Sequence, residues 1–238
     1  VKICSIGESQ VAEEIEDLIE SQTNPTIAPY AKTGEVHLRI TAKGKNEKEC
    51  KKLIKPVVKE LKARFGRNIF ATEESKSLEE AVVDMLKEQE MTLSLAESCT
   101  GGAIAARIVN VSGASEVFLQ GMVTYSNKAK RRCLDVSKST LKKHGAVSEE
   151  CAAEMAKGGR KASKTDICLS VTGIAGPGGG TKEKPVGTVF MGCSYKGCTQ
   201  VREFHFQGNR ARVREQTVAH GLAFLRDCMM ERADKENN

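Results

Sequence analysis

The sequence predicts an α/β protein, with a small α/β domain at the amino end followed by a larger layered α/β domain. Strand-like runs alternate with amphipathic helical patterns along the whole chain, which is the order expected of α/β folds. The composition, 39% hydrophobic and 29% charged, is typical of globular domains. With 238 residues, the chain exceeds the usual size of one domain, so two domains or one large domain are expected.

The first ninety residues predict a small sandwich, with helices on one face of a sheet. Val1–Ile6 reads as a strand, and EVHLRITA, after the turn signal Asn24-Pro25, alternates apolar and polar residues as a half-buried strand does. Two amphipathic patterns with apolar residues at helical spacing predict the helices. The predicted strands cover residues 1–6, 35–42 and 69–72, and the predicted helices cover residues 9–20 and 46–65.

The rest of the chain predicts the larger layered domain. Apolar strand-like runs are separated by helical patterns, and a long helix closes the chain. In such folds, functional groups collect at the carboxyl ends of strands, where Ser98, Tyr125 and Thr172 fall. The predicted strands cover residues 91–98, 118–126, 165–173 and 187–195, and the predicted helices cover residues 77–90, 100–110, 148–162 and 211–231.

The sequence also excludes several classes of protein. No apolar run approaches the roughly 18 residues of a membrane span, and VKICSIGES lacks the features of a signal peptide. We therefore expect a cytoplasmic chain without a membrane partner. Because it opens mid-strand without a methionine, we also expect it to begin inside a longer protein.

Cysteine usage predicts reduced thiols and argues against a structural zinc site. The nine cysteines are scattered, odd in number and without CxxC spacing, and the four histidines do not cluster with them. Cys99 follows a serine, but no histidine lies near it in sequence to activate its thiol. An inert buried cysteine is therefore favoured over a nucleophile.

Charge is distributed unevenly between the two halves. Residues 1–89 carry a net charge of −1 and residues 90–238 a net charge of +7. A basic second half suits an anionic small ligand or simply keeps the protein in solution. The basic residues are dispersed and aromatic residues make up 4%, so we do not expect a nucleic-acid partner.

The stretch AESCTGG is the first with chemical potential. An apolar strand ends at Glu97 and Ser98, and small residues then open a helix at Thr100, Gly101 and Gly102. Free N–H groups at a helix start bind phosphate or carboxylate well. An ordinary strand-to-helix turn, capped by a Ser or Thr hydroxyl, is an equally good interpretation of the same residues.

A glycine-rich loop is the second candidate. VTGIAGPGGGTKEKPVG places five glycines between Gly173 and Gly180, so the backbone there could approach a ligand closely. Thr181 follows the last of these glycines, so the loop is not a P-loop, and it does not match the GxGxxG dinucleotide pattern. A flexible surface loop is the alternative.

The third candidate is GASEVFLQGMVTYSNKAK, which holds Ser115, Tyr125 and Lys130. A lysine whose pKa is lowered by burial can accept a serine proton, and a tyrosine hydroxyl can assist. The Tyr-Lys spacing is one residue too long for the YxxxK of short-chain dehydrogenases. Taken alone, three such residues near one another are common.

The fourth candidate is FQGNRARVREQTV, a turn that leads into an arginine-rich helix. Arg210 and Arg214 share a helix face and could bind a phosphate together. A solvated basic helix face is equally consistent.

Taken together and in this order, these motifs resemble the CinA family (competence/damage-inducible protein CinA). The matching segments are AESCTGG, GASxxF, TYSNKAK, HGAVSEE, VTGIAGPGGGTKEKPVG and QGNRARVR. The resemblance implies a KH-like α/β domain at residues 1–74 and a CinA C-terminal domain at residues 75–238. The first of these has no GxxG loop, so RNA binding is not expected of it.

The resemblance implies a nicotinamide-nucleotide amidohydrolase, or NMN deamidase, of the type called PncC. This activity converts nicotinamide mononucleotide (NMN) and water to nicotinate mononucleotide and ammonia in NAD salvage, without metal or cofactor. It assigns catalysis to Ser115, Tyr125 and Lys130, and it implies a homodimer. We expect substrate binding by Glu97, Ser98, Thr100, Gly101, Gly102, Thr172, Gly173 and Arg210.

Two other functions compete with the hydrolase. A catalytically silent nucleotide-binding or interaction module, linked to competence or the DNA-damage response, would bind ligand without releasing ammonia. A nucleic-acid binder would show steep salt dependence.

Overall fold

The computed structural model describes residues 1–236; Asn237 and Asn238, the end of the predicted second domain, lie outside the described residues. The chain divides into two compact units, the first covering Val1–Ala81 and the second beginning at Val82. Each has its own sheet, which confirms the predicted α/β class with a smaller unit first.

The first unit is a four-stranded antiparallel sheet with helices packed on it, in the order β2-β3-β1-β4. Its core is made of aliphatic side chains and Phe65. The elements are β1 (Lys2–Cys4), α1 (Glu8–Glu14), α2 (Glu16–Ser21), β2 (Thr26–Lys32), β3 (Glu35–Thr41), α3 (Glu47–Phe65) and β4 (Ile69–Ala71).

Two details of this unit differ from the sequence prediction. The helix expected over residues 9–20 is interrupted at Ile15, whose backbone leaves helical geometry between α1 and α2. β2 was not predicted because Asn24-Pro25 is a turn signal and because Pro29 interrupts the strand pattern. Pro29 is tolerated because β2 lies at the edge of the sheet, where one missing N–H donor costs little.

The second unit is built on a five-stranded mixed sheet, in the order β6-β5-β7-β8-β9. β5 pairs in parallel with β6 and β7, whereas β8 and β9 are antiparallel additions. The elements are α4 (Leu78–Glu88), which begins in the first unit and continues past Val82, β5 (Leu93–Glu97), α5 (Ala103–Val109), β6 (Phe118–Val123), α6 (Asn127–Leu134), α7 (Lys138–Lys143), α8 (Glu149–Ser163), β7 (Ile167–Gly173), β8 (Thr188–Tyr195), β9 (Cys198–His205) and α9 (Arg210–Glu236).

The sequence prediction missed β9, α6 and α7 in this unit. CTQVREFH has charged residues that weaken its strand pattern, and NKAKRRCL lacks a wide apolar face. α6 nevertheless forms because Ser126 caps it, its hydroxyl accepting the Ala129 N–H at 3.1 Å.

Helix α8 packs very closely on the rest of the unit. A Cβ at Gly158 would lie 1.8 Å from the carbonyl oxygen of Leu134, and one at Gly159 would lie 2.6 Å from Cys168 Sγ. The two glycines therefore allow α8 to approach the end of α6 and the sheet.

The parallel arrangement brings three strand ends to one edge of the sheet. β5 ends at Glu97, β6 at Val123 and β7 at Gly173, and all three run in the same direction. The segments that follow these ends are the candidate motifs of the sequence.

Candidate active site

A buried lysine lies at this edge and contacts a serine. Lys130 is on α6, its side chain is 1% exposed, and its Nζ donates hydrogen bonds to Thr124 O at 2.7 Å and to Ser98 Oγ at 2.8 Å. Ser98 directly follows β5 and is 8% exposed. A lysine amine and a serine hydroxyl in direct contact are the two groups of a nucleophile and its base.

Burial lowers the pKa of Lys130, because the ammonium form loses its hydration. Within residues 1–236, no carboxylate lies within 4.0 Å of Nζ to offset this effect. Two thiols near the amine favour its charged form more weakly. Burial raises the pKa of Cys99 and of Cys151 to about 11, so both stay neutral at pH 7.

The structure does not bring Ser115 to this lysine. Ser115 is exposed in a short 3₁₀ turn before β6, whereas Lys130 lies beyond the opposite end of that strand. Six residues of strand separate the two ends by about 20 Å. Because β5 runs parallel to β6, the residue that reaches the carboxyl edge with Lys130 is Ser98.

The turn after β5 is organised by Glu97. Its carboxylate is 1% exposed and accepts the N–H groups of Gly102 at 2.9 Å, Ile104 at 3.2 Å and Ala105 at 2.9 Å. Gly101 has a φ of +64° and Gly102 a φ of +94°, the left-handed region that glycine adopts without strain.

This arrangement corrects the expected phosphate cradle. The N–H groups at the start of α5 face the Glu97 carboxylate, and the Gly101 N–H donates to Ser98 O at 3.1 Å. A phosphate would have to displace a buried carboxylate of like charge. The Glu97 carboxylate and the N–H groups of Gly101 and Gly102 are therefore already paired, and these three residues are not placed to bind a phosphate.

Tyr125 and Arg210 meet at the rim of the site. Tyr125 is 62% exposed, and its hydroxyl accepts a hydrogen bond from Arg210 Nη2 at 3.0 Å. Arg210 Nη1 also donates to Gly176 O at 3.0 Å. The first residue of α9 thus links the segment after β6 to the glycine-rich loop.

Thr172 and Gly173 form part of the framework at the end of β7. The Thr172 hydroxyl is 1% exposed and donates to Ala146 O at 2.7 Å. A Cβ at Gly173 would lie 2.6 Å from Val189 Cγ2, so a side chain there would displace β8. Both residues lie at the carboxyl edge, as predicted, but the Thr172 hydroxyl is already used.

Two residues that shape this edge were not identified from the sequence as contacts of the site. Arg214 donates from Nε to Cys99 O at 3.1 Å and from Nη2 to Thr100 O at 2.7 Å. Lys184 Nζ donates to two carbonyl oxygens of the segment that precedes α8, at 3.0 and 2.6 Å. The arginine spacing in the last helix pointed to Arg214. The sequence could not show whether its guanidinium binds backbone carbonyl groups or a phosphate.

Three buried hydroxyls near the strand ends have no hydrogen-bond partner among the described residues. They are Thr100 Oγ1, Thr124 Oγ1 and Thr188 Oγ1. The first two belong to residues that adjoin the Ser98–Lys130 pair in sequence or in space. They are polar groups that a water molecule or a substrate could satisfy.

Within the described part of the chain, no group of three or more His, Cys, Asp or Glu residues is arranged to hold a metal ion. No helix in residues 1–236 has the length and apolar character that crossing a membrane requires. All nine cysteines are free.

Comparison with known proteins identifies the family of the chain. Residues 75–229 match the family described as CinA C-terminal domain, and residues 1–71 match the one described as damage-inducible protein CinA KH domain. The chain belongs to the CinA family. A CinA-like protein of Dictyoglomus turgidum is 50% identical over 226 residues, 95% of this chain and 55% of its own length.

Solved structures of CinA proteins agree with the fold. The competence/damage inducible protein CihA from Agrobacterium tumefaciens is 39% identical, with a TM-score of 0.61, over 62% of this chain and 91% of that one. A CinA superfamily protein from Escherichia coli is 31% identical, with a TM-score of 0.62, over 69% of this chain and 97% of that one. The chain spans about half the length of the curated CinA relatives that it matches.

Proposed function

We propose that this CinA chain hydrolyses the carboxamide of nicotinamide mononucleotide to nicotinate mononucleotide and ammonia. The observation that carries the proposal is the 2.8 Å contact between Ser98 Oγ and the buried amine of Lys130. A base with a lowered pKa in contact with a serine suits acyl transfer. Resemblance to CinA amidohydrolases supplies the substrate class, and a place in NAD salvage follows from that substrate.

In the first half-reaction, Ser98 Oγ forms a bond to the carboxamide carbon while its proton passes to the neutral Lys130 amine. We assign the developing oxyanion to the backbone N–H of Thr100, in the same turn. The carbon–nitrogen bond then breaks, and Lys130 returns the proton so that ammonia leaves. In the second half-reaction, water attacks the carbonyl carbon of the resulting ester and Lys130 takes a proton from that water. The bond from the carbonyl carbon to Ser98 Oγ then breaks, Ser98 regains the proton, and nicotinate mononucleotide is released.

Tyr125 and Arg210 are assigned to the nucleotide phosphate. They are exposed at the rim and hydrogen-bonded to each other, and the Arg210 guanidinium can bind a phosphate through two N–H groups. Thr172 and Gly173, at the end of β7, would border the nicotinamide ribose. In this assignment Tyr125 binds substrate and does not move the proton, since Lys130 already contacts the nucleophile.

The experiment measures ammonia release from nicotinamide mononucleotide by the wild-type chain and by Ser98→Ala, Lys130→Met and Ser115→Ala variants. We expect Ser98→Ala and Lys130→Met to lose at least about 1,000-fold in kcat, since nucleophile and base act as a unit. Ser115→Ala is the matched control and should keep wild-type turnover. Loss of turnover in Ser115→Ala with retention in Ser98→Ala would contradict the assignment.

A second experiment tests the phosphate assignment. Arg210→Met should raise KM for nicotinamide mononucleotide about 10-fold or more, because one charge-assisted contact is lost. It should leave KM for nicotinamide riboside, which lacks the phosphate, unchanged. An equal rise in KM for both substrates would contradict the assignment.

The names of the relatives favour a second candidate function. They refer to competence and damage induction, which fits a nucleotide-binding or interaction module without catalysis. Saturable binding of nicotinamide mononucleotide without ammonia release would support that module. The homodimer expected from the family is tested separately, by light scattering on the purified chain.

A further inference from the structure

The turn that carries Ser98 is held from two sides by charged side chains. From behind, Glu97 joins the end of β5 to the first turn of α5 through three backbone N–H groups, with distances of 2.9, 3.2 and 2.9 Å. From the α9 side, the Arg214 guanidinium binds the carbonyl oxygens of Cys99 and Thr100 at 3.1 and 2.7 Å. The backbone on both sides of Gly101 is therefore fixed.

The geometry excludes a direct chemical role for Glu97. Both of its carboxylate oxygens already accept backbone N–H groups, and the side chain is 1% exposed. Lys130, not Glu97, is hydrogen-bonded to Ser98 Oγ. What a buried carboxylate with these contacts does is fix the position of the residue next to it.

We propose that Glu97 and Arg214 are positioning residues that hold the Ser98 hydroxyl against Lys130. The inference rests on the proposed role of Ser98 as a nucleophile. A serine hydroxyl on a turn samples many orientations, and a displacement of about 1 Å can cost about 100-fold in rate. Pinning the turn through its own N–H and C=O groups removes that freedom without placing another side chain in the substrate's path.

The test uses a probe of Ser98 that does not depend on the natural substrate. Phenylmethanesulfonyl fluoride forms a sulfur–oxygen bond with an activated serine, fluoride leaves, and the serine proton passes to the base. The second-order rate of labelling is followed by intact mass, with the site confirmed by peptide mass. Wild-type, Glu97→Gln, Glu97→Asp and Arg214→Met chains are compared, together with kcat and KM for nicotinamide mononucleotide.

Glu97→Gln keeps the size of the side chain but presents an NH₂ group to at least one backbone N–H. Glu97→Asp keeps the charge but is one methylene too short to reach all three donors. For each variant, including Arg214→Met, we expect the labelling rate and kcat to fall together by about 10- to 100-fold. KM should stay within about twofold, because neither residue is assigned to the substrate.

The matched control is Asp166→Asn. Asp166 also holds backbone in place, accepting the Thr92 N–H at 2.8 Å and its hydroxyl at 2.6 Å, but it does so at the amino end of β5 and β7. This variant should lower Tm while leaving both the labelling rate and kcat at wild-type values. It separates loss of stability from loss of positioning.

Each outcome decides the inference. A folded Glu97→Gln chain labelled at the wild-type rate, or one whose loss lies wholly in KM, overturns it. If neither Glu97 variant folds, Arg214→Met decides by the same two measurements. Labelling of wild-type Ser98 without ammonia release would overturn the proposed amidohydrolase, and the labelling rates of the variants would then decide the positioning inference. If wild-type Ser98 is not labelled at all, the positioning inference itself is overturned.

Discussion

Replacement of Lys130 by methionine should change how stability depends on pH. The wild-type amine is 1% exposed, contacts only neutral oxygen acceptors in the described structure, and has a pKa lowered by burial. In the unfolded chain the same amine titrates near the ordinary lysine value of about 10.4. Between these two pKa values, the unfolded chain binds one proton more than the folded chain.

The sign and size follow from this difference in bound protons. Because the unfolded state binds more protons in that window, the free energy of unfolding rises with pH, by at most about 1.4 kcal/mol per pH unit. Below the lowered native pKa both states are protonated, and Lys130 no longer makes the free energy of unfolding depend on pH. The methionine variant has no such group, so the free energy of unfolding of the wild type should rise relative to that of the variant as pH rises between the two pKa values.

The assay is urea unfolding of both proteins at steps of pH from about 6 to about 9.5. The test is how the difference in unfolding free energy between wild type and Lys130→Met changes with pH. The size of that difference at any one pH also contains the lost hydrogen bonds to Ser98 and Thr124. Lys128→Met, at an exposed position on the same helix, is the control and should run parallel to wild type. The titration of the cysteine thiols contributes to the pH dependence of all three proteins alike, so it largely cancels in the differences between them. A Lys130→Met curve parallel to wild type would refute a lowered lysine pKa.

Three further outcomes are expected. The kcat/KM for ammonia release should rise with pH as Lys130 loses its proton and level off below the ordinary lysine pKa; a fall over the same range would contradict the role of base. Gly158→Ala should destabilise the protein by about 3 kcal/mol in urea unfolding, because the new Cβ meets the Leu134 carbonyl, whereas Gly7→Ala, with open space around it, should stay within about 0.5 kcal/mol. Asn46→Ala should destabilise the first unit by about 1 kcal/mol, measured by urea unfolding, since its side chain caps α3; an unchanged midpoint would show that the cap contributes nothing.

The sequence predicted the fold class because period and composition are local properties. Buried strands such as β5 and β7 are rich in apolar residues, and α3 and α8 show apolar residues at helical spacing. Helix α6 was missed for the opposite reason. Its apolar face is narrow, and its stability depends on the Ser126 cap and on packing that no short window of sequence contains.

The candidate site shows where such reasoning stops. Lys130 was identified by its motif, and Ser98 was noted as the end of a strand. Pairing them requires knowing that β5 and β6 are parallel neighbours, which depends on residues far apart in the chain. Ser115 is closer to Lys130 in sequence, yet an intervening strand carries the two residues to opposite ends of the sheet.

The role of Glu97 could not be read from sequence for a related reason. A carboxylate beside small residues at a strand end predicts a ligand contact or a helix cap equally well. Only the three N–H distances distinguish them.

Ser98 and Lys130 are 32 positions apart in the sequence, and this separation has a consequence for the unfolded chain. If Ser98 is the proposed nucleophile, it is an ordinary alcohol on a nascent or denatured chain, because Lys130 lies on a segment that has not yet docked. Its activation by Lys130 would then require that β5 and β6 have paired and that α6 has packed. The extent of labelling at this one hydroxyl would therefore measure the fraction of native molecules. In a mixture of folded and unfolded molecules, circular dichroism reports only the average helix content.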